Sequence, residues 1–542
     1  MMKRKIVTTI ASACLILALV VLSVASCAEV EPGPTPGPGP TPGPGPTPTP
    51  PTPPTEEPQY GGTLRIGSTE GLFSVGLPNA MREYNDVVKS SPALETLFRM
   101  DDQGKLVPWL ALAWEEDPDG MAVTIPLRQG VKFHDGTDFN AEAVKWNLDR
   151  RVAHKILGTE FMESVDVIDE YTIRLNLTQY NNTFPLTLGY WIIPKMVSPT
   201  AYEIHGEEWC TNNAVGTGPF KFVSWEKDVR IKFERNDDYW QEGKPYLDSI
   251  EIIRIADPMV SIAAFMKGDI DCLLKPDPKD VVELMATGKY KLDTVPGTVW
   301  AIAPDGANSY SPFADVRVRQ ALNYAIDKQA ICHGLGYGYW QPLNQMSVPG
   351  RYGYNSDIVG YPYNPEKARE LLVEAGYPDG FKCQLNFWMG MVILENLMTA
   401  CQGYLNEAGF TANLKKWDYA GYGNVFYQGW ENGTAAGFSS VAIPDDLRTL
   451  YGSFKREVAG LASTYKPPAA TEVLYQAIVE RDFETRAALT QQLQEILWQD
   501  EAVRTLLALV EGLCLKYPEM HGDGLFDFSE SVWTPENAWL SR

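Results

Sequence analysis

One low-complexity segment near the N-terminus decides where a fold can begin. Residues 32–54 read PGPTPGPGPTPGPGPTPTPPTPP. This segment has no apolar face to bury and almost no backbone N–H donors, so it cannot join a hydrophobic core. Glycine does not recur at every third position, which excludes a collagen-like helix. We therefore predict an extended proline-rich spacer over residues 28–59, with the folded body beginning at about Tyr60.

The first 27 residues have the three parts of an export signal. Basic residues at positions 3–5 precede a largely apolar run at 6–24, and small residues stand just before Cys27. This ending resembles the lipobox of bacterial lipoproteins, which implies cleavage before Cys27 and attachment of lipid to its thiol. A transmembrane anchor is the alternative, disfavoured by the cysteine and the spacer behind it. We expect residues 1–27 to be a signal peptide and the mature chain to be extracytoplasmic, held on the cell membrane by lipid.

Beyond the spacer, the patterns of strands and helices alternate along the chain. Apolar residues at every second position predict strands at 171–177 and 229–233, and a continuous apolar run at 250–255 predicts a strand covered on both faces. The pair Asn364–Pro365 has the form of a helix start, and Gly376 the form of its stop.

A β-α-β unit is predicted further along, with strands at 384–388 and 411–416 around a helix at 397–408. Another helix is predicted at 318–326. The glycine run GLGYG at 334–338 lacks the spacing of a dinucleotide-binding loop, and we expect a plain loop there. Strands interleaved with helices predict an α/β body with mixed sheets.

Charge and residue usage argue against several functions. The formal net charge is −23 at pH 7, and a polyanion repels nucleic acid. The chain has five histidines, none at metal-ligand spacing, and it has no GxSxG, HExxH or GxxxxGK[ST] motif. We therefore predict a binding protein and not an enzyme, with no catalytic residue, metal or cofactor. A hydrolase built on two carboxylates is the alternative.

Cysteine usage leaves the disulfide state open. None of the six cysteines in the body belongs to a CxxC pair. A chain of 542 residues buries enough apolar surface to fold without disulfides, so free thiols and bridges are both compatible with the sequence. The six are Cys210, Cys272, Cys332, Cys383, Cys401 and Cys514.

Several short segments, in order and at plausible spacing, resemble one protein family. They are YGGTL at 60–64, PALETLF at 92–98, LVPWLA at 106–111, LRQGVKFHDG at 127–136, AEAV at 141–144, GTGPF at 216–220, NDDYW at 236–240 and PFADVRVRQA at 312–321. On these motifs the chain is identified as a member of the family 5 extracellular solute-binding proteins, the substrate-binding lipoproteins of peptide and nickel ABC importers. The similarity fades after about Trp417. We expect His134 to be a hydrogen-bonded turn residue and not a ligand.

The resemblance implies a two-lobed fold of the periplasmic-binding-protein type, class II, with mixed sheets and a hinge crossed twice. Lobe one would comprise residues 60–297 and a C-terminal return at 504–542, and lobe two residues 298–503. The implied function is to capture a small organic solute, a peptide, in the interlobe cleft by hinge closure. The implied partners are that solute and the permease subunits of an ABC importer, and we expect a monomer.

The resemblance also suggests ligand contacts by position. Asp445 falls near the place where peptide-binding relatives hold an acid for the ligand's ammonium. Where dipeptide-binding relatives have an arginine after a strand, this chain has MGM at 389–391, which disfavours a dipeptide, and the scarcity of histidine disfavours nickel. For each aromatic candidate, packing in the core is the alternative role. The aromatic candidates are Phe73, Tyr190, Trp191, Trp300, Trp388, Tyr422 and Trp430.

Two other functions stay open at this point. A secreted cell-surface hydrolase would turn its solute over, whereas a binding protein would be stabilised by it without turnover. A solute sensor on the same body would engage a signalling partner in place of a permease, and the sequence does not separate it from a transport protein.

Overall fold

The computed structural model describes residues 57–71, 74–81, 84–101, 105–155, 158–189, 195–389, 391–431, 433–441, 445–455, 462–522 and 533–541. From Pro58 onward these residues belong to one compact unit. The predicted signal peptide and nearly all of the predicted spacer lie outside the described residues. No helix within the described part of the chain is both long and apolar enough to cross a bilayer.

The strands among these residues alternate with helices. They are β1 (Thr63–Ser68), β2 (Phe98–Met100), β3 (Leu106–Pro108), β4 (Glu115–Glu116), β5 (Ala122–Pro126), β6 (Met162–Asp169), β7 (Thr172–Leu177), β8 (Phe220–Glu226), β9 (Arg230–Arg235), β10 (Ser249–Arg254), β11 (Cys272–Leu274), β12 (Lys291–Pro304), β13 (Trp340–Pro342), β14 (Lys382–Trp388), β15 (Thr411–Trp417), β16 (Gly433–Val441), β17 (Thr505–Lys516), β18 (Met520–His521) and β19 (Trp539–Leu540).

The α-helices of the described residues are α1 (Tyr84–Lys89), α2 (Ala141–Ala153), α3 (Phe184–Thr187), α4 (Pro199–Asn212), α5 (Pro258–Lys267), α6 (Pro278–Met285), α7 (Val316–Tyr324), α8 (Lys328–Gly336), α9 (Pro365–Glu374), α10 (Val392–Glu407), α11 (Tyr419–Gln428), α12 (Asp446–Phe454), α13 (Pro468–Ala477) and α14 (Phe483–Gln494). A π-helix, Glu495–Asp500, follows α14, and short 3-10 turns lie at Pro78–Ala80, Pro312–Ala314 and Pro535–Asn537.

Local chemistry explains where many helices begin. At most of the longer helices a short polar side chain precedes the first turn and accepts a hydrogen bond from a backbone N–H that would otherwise have no partner. In α9, Asn364 accepts from the Lys367 N–H and Pro365 occupies the first position, as predicted. The capping residues are Asn140, Ser198, Asp257, Asp277, Asp315, Asp327, Asn364, Asp418, Asp445 and Asp482.

The predicted β-α-β unit is present as β14, α10 and β15, with the two strands parallel. The strands predicted at 171–177, 229–233 and 250–255 appear as β7, β9 and β10. The expectation of a loop for the whole glycine run at 334–338 is wrong, because its first three residues form the end of α8. The helix ends there because Tyr337 adopts a left-handed conformation with φ of 48°.

Eleven of these strands form one mixed sheet, in the order β15-β14-β16-β12-β17-β11-β1-β10-β9-β8, with β13 also paired to β17. Strands β1, β10 and β11 are parallel, and so are β14, β15 and β16. The long antiparallel strands β12 and β17 connect the two groups. A second, antiparallel sheet has the order β4-β5-β7-β6.

The apolar core consists of several clusters that follow this layout. One cluster lies under β1 and β8–β10, and another packs β14 against α7 and α10. A further cluster joins the small sheet to α12–α14, with Ile173 and Leu175 on the sheet side and Leu450 and Leu474 on the helices. The predicted lobe boundaries at 297 and 503 remain predictions, although both fall at or beside the connecting strands.

Candidate functional site

The carboxyl ends of parallel strands from the two halves of the large sheet face each other. On one side, β1, β10 and β11 end at the level of Leu274, which lies opposite Cys514 of β17. On the other side, β16 ends at Val441, which lies opposite Thr298 of β12, and Thr298 in turn lies opposite Val510 of β17. The strands β14 and β15, which are parallel to each other and to β16, end on the same side. Because residues of a strand rise about 3.4 Å each, the two edges are roughly 14 Å apart along β17. Ligands of open α/β sheets bind outside such carboxyl ends, so this gap is the candidate site.

Three of the predicted aromatic residues lie together on the side of the gap formed by β14–β16. The Trp300 and Trp388 rings stack with centroids 5.8 Å apart, and the Tyr422 ring lies 5.0 Å from Trp388. Trp388 ends β14, and Trp300 lies on β12 two residues past Thr298. All three side chains are 4–7% exposed and belong to the same core cluster. The structure therefore gives each of them a packing role beside this edge, and their contact with a solute remains a prediction.

Trp430 lies at the other end of these strands, beside Gly433, the first residue of β16, and away from the carboxyl ends that face the gap. Its backbone N–H donates to Ser463 Oγ at 2.8 Å, and its indole N–H donates to the Gly433 carbonyl at 3.2 Å. These bonds fix the turn between α11 and β16. Its contact with a solute remains a prediction.

Asp445 already has local partners. Its Oδ1 accepts from the Arg448 N–H at 2.8 Å, which caps α12, and from the Tyr352 hydroxyl at 2.8 Å. Both bonds orient the carboxylate, which follows the end of β16 by four residues. An oriented, partly buried carboxylate suits an ammonium ligand, and that role remains a prediction.

Some of the predicted site residues lie outside the described part of the chain. These are Phe73, Tyr190, Trp191 and the predicted lipidation site Cys27. Their proposed roles stay predictions.

The opposite edge contains a group that the sequence analysis missed. Lys89, the last residue of α1, is 3% exposed, and its ammonium donates to Ser68 Oγ at 2.9 Å and to the Glu70 carbonyl at 2.8 Å. Burial lowers the Lys89 pKa to about 8, against the opposing effects of Glu70 and Asp86. No sequence signal distinguishes Lys89 from a surface lysine, because its burial depends on α1 packing over the end of β1.

The cysteines and His134 have identifiable structural surroundings among the described residues. No three histidine, cysteine, aspartate or glutamate side chains within the described ranges are placed to hold a metal ion. All six cysteines of the body are buried and unpaired. His134 donates through Nε2 to the Gly218 carbonyl at 2.9 Å and accepts at Nδ1 from the Gly216 N–H at 3.4 Å, so it is a hydrogen-bonded turn residue as expected.

Two groups of parallel strands, joined by two long crossing strands and facing each other at their carboxyl ends, define a two-lobed periplasmic binding protein. The family described as bacterial extracellular solute-binding proteins, family 5, matches residues 105–457. The chain belongs to that family, and it is therefore an extracytoplasmic solute-binding protein of the type that serves ABC importers.

Individual relatives agree with this assignment. The glutathione-binding protein GsiB of Shigella flexneri is 30% identical over 445 residues, which cover 77% of this chain and 84% of GsiB. The periplasmic binding protein DppA of Helicobacter pylori, solved with the peptide STSA, has a TM-score of 0.78 at 24% identity and covers 89% of this chain and 99% of its own. The oligopeptide-binding protein AppA of Bacillus subtilis, solved with a nonapeptide, has a TM-score of 0.76 at 22% identity, with coverage of 90% and 100%.

Proposed function

We propose that the chain captures a peptide-like solute in the gap between the two carboxyl edges and releases it unaltered to an ABC permease. The proposal depends on the register of β12 and β17, because this register leaves a gap of about 14 Å between the two carboxyl edges. The similarity to a glutathione-binding protein supports a peptide-like solute, because glutathione is a small peptide.

Closure of two lobes is the proposed mechanism. Lobe one comprises residues 60–297 and 504–542, and lobe two residues 298–503. The register of β12 against β17 shifts between Pro296 and Thr298, where a strand bends most readily. A solute that contacts both edges stabilises the closed state, which the permease then recognises.

The proposed solute contacts combine aromatic faces with one acid. The aromatic rings exclude water from the bound solute, and Asp445 pairs with its ammonium. Because Trp300, Trp388 and Tyr422 are buried in this structure, we propose that a solute meets their edges at the gap. The proposed contacts are Phe73, Tyr190, Trp191, Trp300, Trp388, Tyr422, Trp430 and Asp445.

The proposed location is the outer face of the cell membrane. Lipid on Cys27 anchors the mature chain as a monomer, and the proline-rich spacer keeps the body away from the bilayer. Labelling with a radioactive fatty acid tests the anchor. The wild-type chain should incorporate label, and Cys27→Ser should not.

A thermal unfolding screen tests solute capture. The panel contains glutathione, peptides of two to nine residues, free amino acids and sugars. We expect peptides to raise the Tm as their concentration increases, since a solute at 100 times its Kd adds about 2.7 kcal/mol of stability. Mass spectrometry of the recovered peptide should show it unchanged.

Other outcomes of the screen would contradict the proposal. Stabilisation by sugars or amino acids and by no peptide would replace the proposed solute class. Steady conversion of the bound peptide would identify a cell-surface hydrolase. Uptake in cells that lack the chain separates transport from sensing, because the loss of a sensor leaves direct uptake intact.

A further inference from the structure

A cavity opens at the lobe-one edge of the gap, where the ends of β1 and β10 meet the turn between β8 and β9. Its open volume is about 270 Å³, including the part continuous with solvent. The space inside it that a water-sized group can occupy is only about 20 Å³, so it admits a group as small as a carboxylate oxygen and not a whole residue. The lining includes Ser68, Glu70, Lys89, Trp225, Asp228 and Arg254.

Lys89 offers this cavity a hydrogen-bond donor. An ammonium group has three protons, and the bonds to Ser68 Oγ and the Glu70 carbonyl use two of them. Asp86, one turn earlier on the same helix, is fully buried and provides a nearby negative charge. The positive charges of Lys275 and Arg254 partly cancel the effect of Asp86, because each of them lowers the Lys89 pKa. The third proton is left for a further acceptor.

Arg254 offers a second donor. Its Nη1 binds Asp228 Oδ1 at 2.8 Å, and its Nε is buried without a hydrogen-bond partner among the described residues. A buried donor without an acceptor costs free energy, so a ligand that supplies an acceptor would gain binding free energy there. Gly71 lies beside this Nε, and a Cβ placed on Gly71 would be 3.5 Å from it. Gly71 has no side chain, which leaves the space beside Arg254 unfilled.

The acidic groups at the cavity are already engaged. Glu70 lies 3.5 Å from Lys275, and Asp228 is paired with Arg254. Arg230, the remaining cation of the lining, is paired with Glu251 on the neighbouring strand. The groups at the cavity that can still form a hydrogen bond are therefore donors on the cations Lys89 and Arg254. These donors match a carboxylate, which accepts hydrogen bonds and has no proton to donate.

We infer that this cavity is a subsite for a carboxylate of the solute, held by Lys89 and Arg254 from lobe one. The inference rests on the proposed function and narrows it to peptides with a free carboxyl end. On the opposite edge, the segment at 389–391 that follows β14 has no basic side chain. The carboxylate would therefore be held by lobe one, while the aromatic residues and Asp445 of lobe two contact the rest of the solute.

The test compares peptides that differ only at the carboxyl end. Two equimolar libraries of tri- to pentapeptides, one as free acids and one as C-terminal amides, are offered together to the full-length protein. Native mass spectrometry then counts the retained peptides. We expect wild-type protein to retain acids over amides by tenfold or more, because a charge-assisted pair is lost in the amides. Lys89→Met should abolish this preference.

Two further variants keep the test decisive. Gly71→Val fills the cavity beside Arg254 without changing any charge, so it should also remove the preference if Lys89→Met fails to fold. Lys267→Met is the matched control, because Lys267 is 75% exposed on the same lobe and lies outside the cavity lining. It should behave as wild type.

The possible contrary outcomes have separate meanings. If wild-type protein retains acids and amides equally, the carboxylate subsite is wrong while the proposed peptide function stands. If it retains no peptide from either library, the proposed function fails and the subsite fails with it. If inorganic phosphate binds at micromolar concentration in a Lys89-dependent manner and peptide acids do not, the cavity serves a free anion and the inference is overturned.

Discussion

Glu95 accepts hydrogen bonds from four side chains that belong to three other sequence motifs of the family. Trp109 and Thr217 donate at 2.8 Å each, Tyr239 at 2.7 Å, and Trp240 at 3.1 Å. Burial raises the pKa of Glu95, while Arg99 and the hydrogen bonds from Tyr239, Thr217 and Trp240 oppose the rise. Four of the eight motifs that identify the family thus meet at one buried carboxylate, so these four report on the fold and not on the solute.

Replacing Glu95 should therefore cost stability. In Glu95→Ala, two buried and two partly buried donors lose their acceptor, and we expect the free energy of unfolding to fall by about 3–5 kcal/mol. Urea unfolding followed by circular dichroism measures the loss. The matched control is Glu203→Ala on α4, an exposed glutamate that should change stability by less than about 0.5 kcal/mol. Equal losses in both variants would rule out a special role for the Glu95 network.

His134 should make the fold sensitive to mild acid. A carbonyl can only accept, so Nε2 donates to Gly218, and Nδ1 then faces the Gly216 N–H as an acceptor. Protonation at Nδ1 would oppose that N–H, and burial, the largest cause, lowers the His134 pKa to about 4. The unfolded chain then binds more protons than the native one between pH 6.5 and 4. Stability is fully present above pH 6.5 and falls as the pH drops through this window, by at most about 3 kcal/mol.

Measured unfolding free energies at pH 7 and pH 4 test this contribution. Between pH 7 and pH 4, we expect His134→Gln to lose less stability than wild type. The difference should be at most about 3 kcal/mol. His333→Gln is the control, since His333 is exposed and its substitution should leave the difference unchanged. A wild-type acid dependence in His134→Gln would mean that other groups account for all of it.

Among the elements, β12 and β17 depend on a close backbone approach at Gly297. A Cβ placed on Gly297 would be 2.4 Å from the Val510 carbonyl oxygen and 2.8 Å from the Gly512 nitrogen. Both neighbours are backbone atoms, which cannot rotate away as a side chain would. The glycine lies at the register shift between Pro296 and Thr298, so the crossing point requires a residue without a side chain.

We expect Gly297→Ala to destabilise the fold by about 1–3 kcal/mol, because the added methyl group forces the paired strands apart. Thermal unfolding measures the change. Gly403→Ala provides a control of opposite sign. Gly403 lies on the exposed face of α10, where an added methyl group would have no atom within 4 Å, so alanine should stabilise by about 0.5–1 kcal/mol. Destabilisation of similar size in both variants would contradict the role of the crossing.

The elements differ in how far their sequences predict them. The start of α9 and the unit formed by β14, α10 and β15 follow from short-range patterns, because caps and apolar periodicity act within a few residues. The pairing of β12 with β17 joins residues more than 200 positions apart, and periodicity identifies a strand without naming its partner. The burial of Lys89 likewise depends on a contact between elements, α1 and the end of β1, which periodicity does not predict. Trp300, Trp388 and Tyr422 were proposed by position in the family, whereas the contacts between their rings are a property of the folded chain.

At the scale of the whole molecule, the proposed lobes touch at a second place besides the crossing strands. Asn182, near α3, donates from its side chain to the Ala477 and Glu480 carbonyls at 2.7 and 2.8 Å. Glu160 lies 2.8 Å from Lys455 in an ion pair. The contacts join the small sheet to α12–α13, which the proposed boundaries assign to opposite lobes. If opening separates the lobes here, it must also divide the apolar core that joins the small sheet to α12–α14, and these contacts then exist only in the closed state and help to set its population.

Asn182→Ala tests this assignment. The substitution removes two hydrogen bonds from the closed state, each with a net worth of about 1 kcal/mol, so solute affinity should fall about tenfold or more. Calorimetry with a peptide found in the screen measures the affinity, and small-angle X-ray scattering should show a larger radius of gyration without solute. Asn212→Ala removes a comparable side-chain bond within α4, to the Glu208 carbonyl at 2.9 Å, and should leave both measurements unchanged. If Asn182→Ala lowers stability while affinity and radius stay constant, the contact persists in both states, and the small sheet and α13 move as one body.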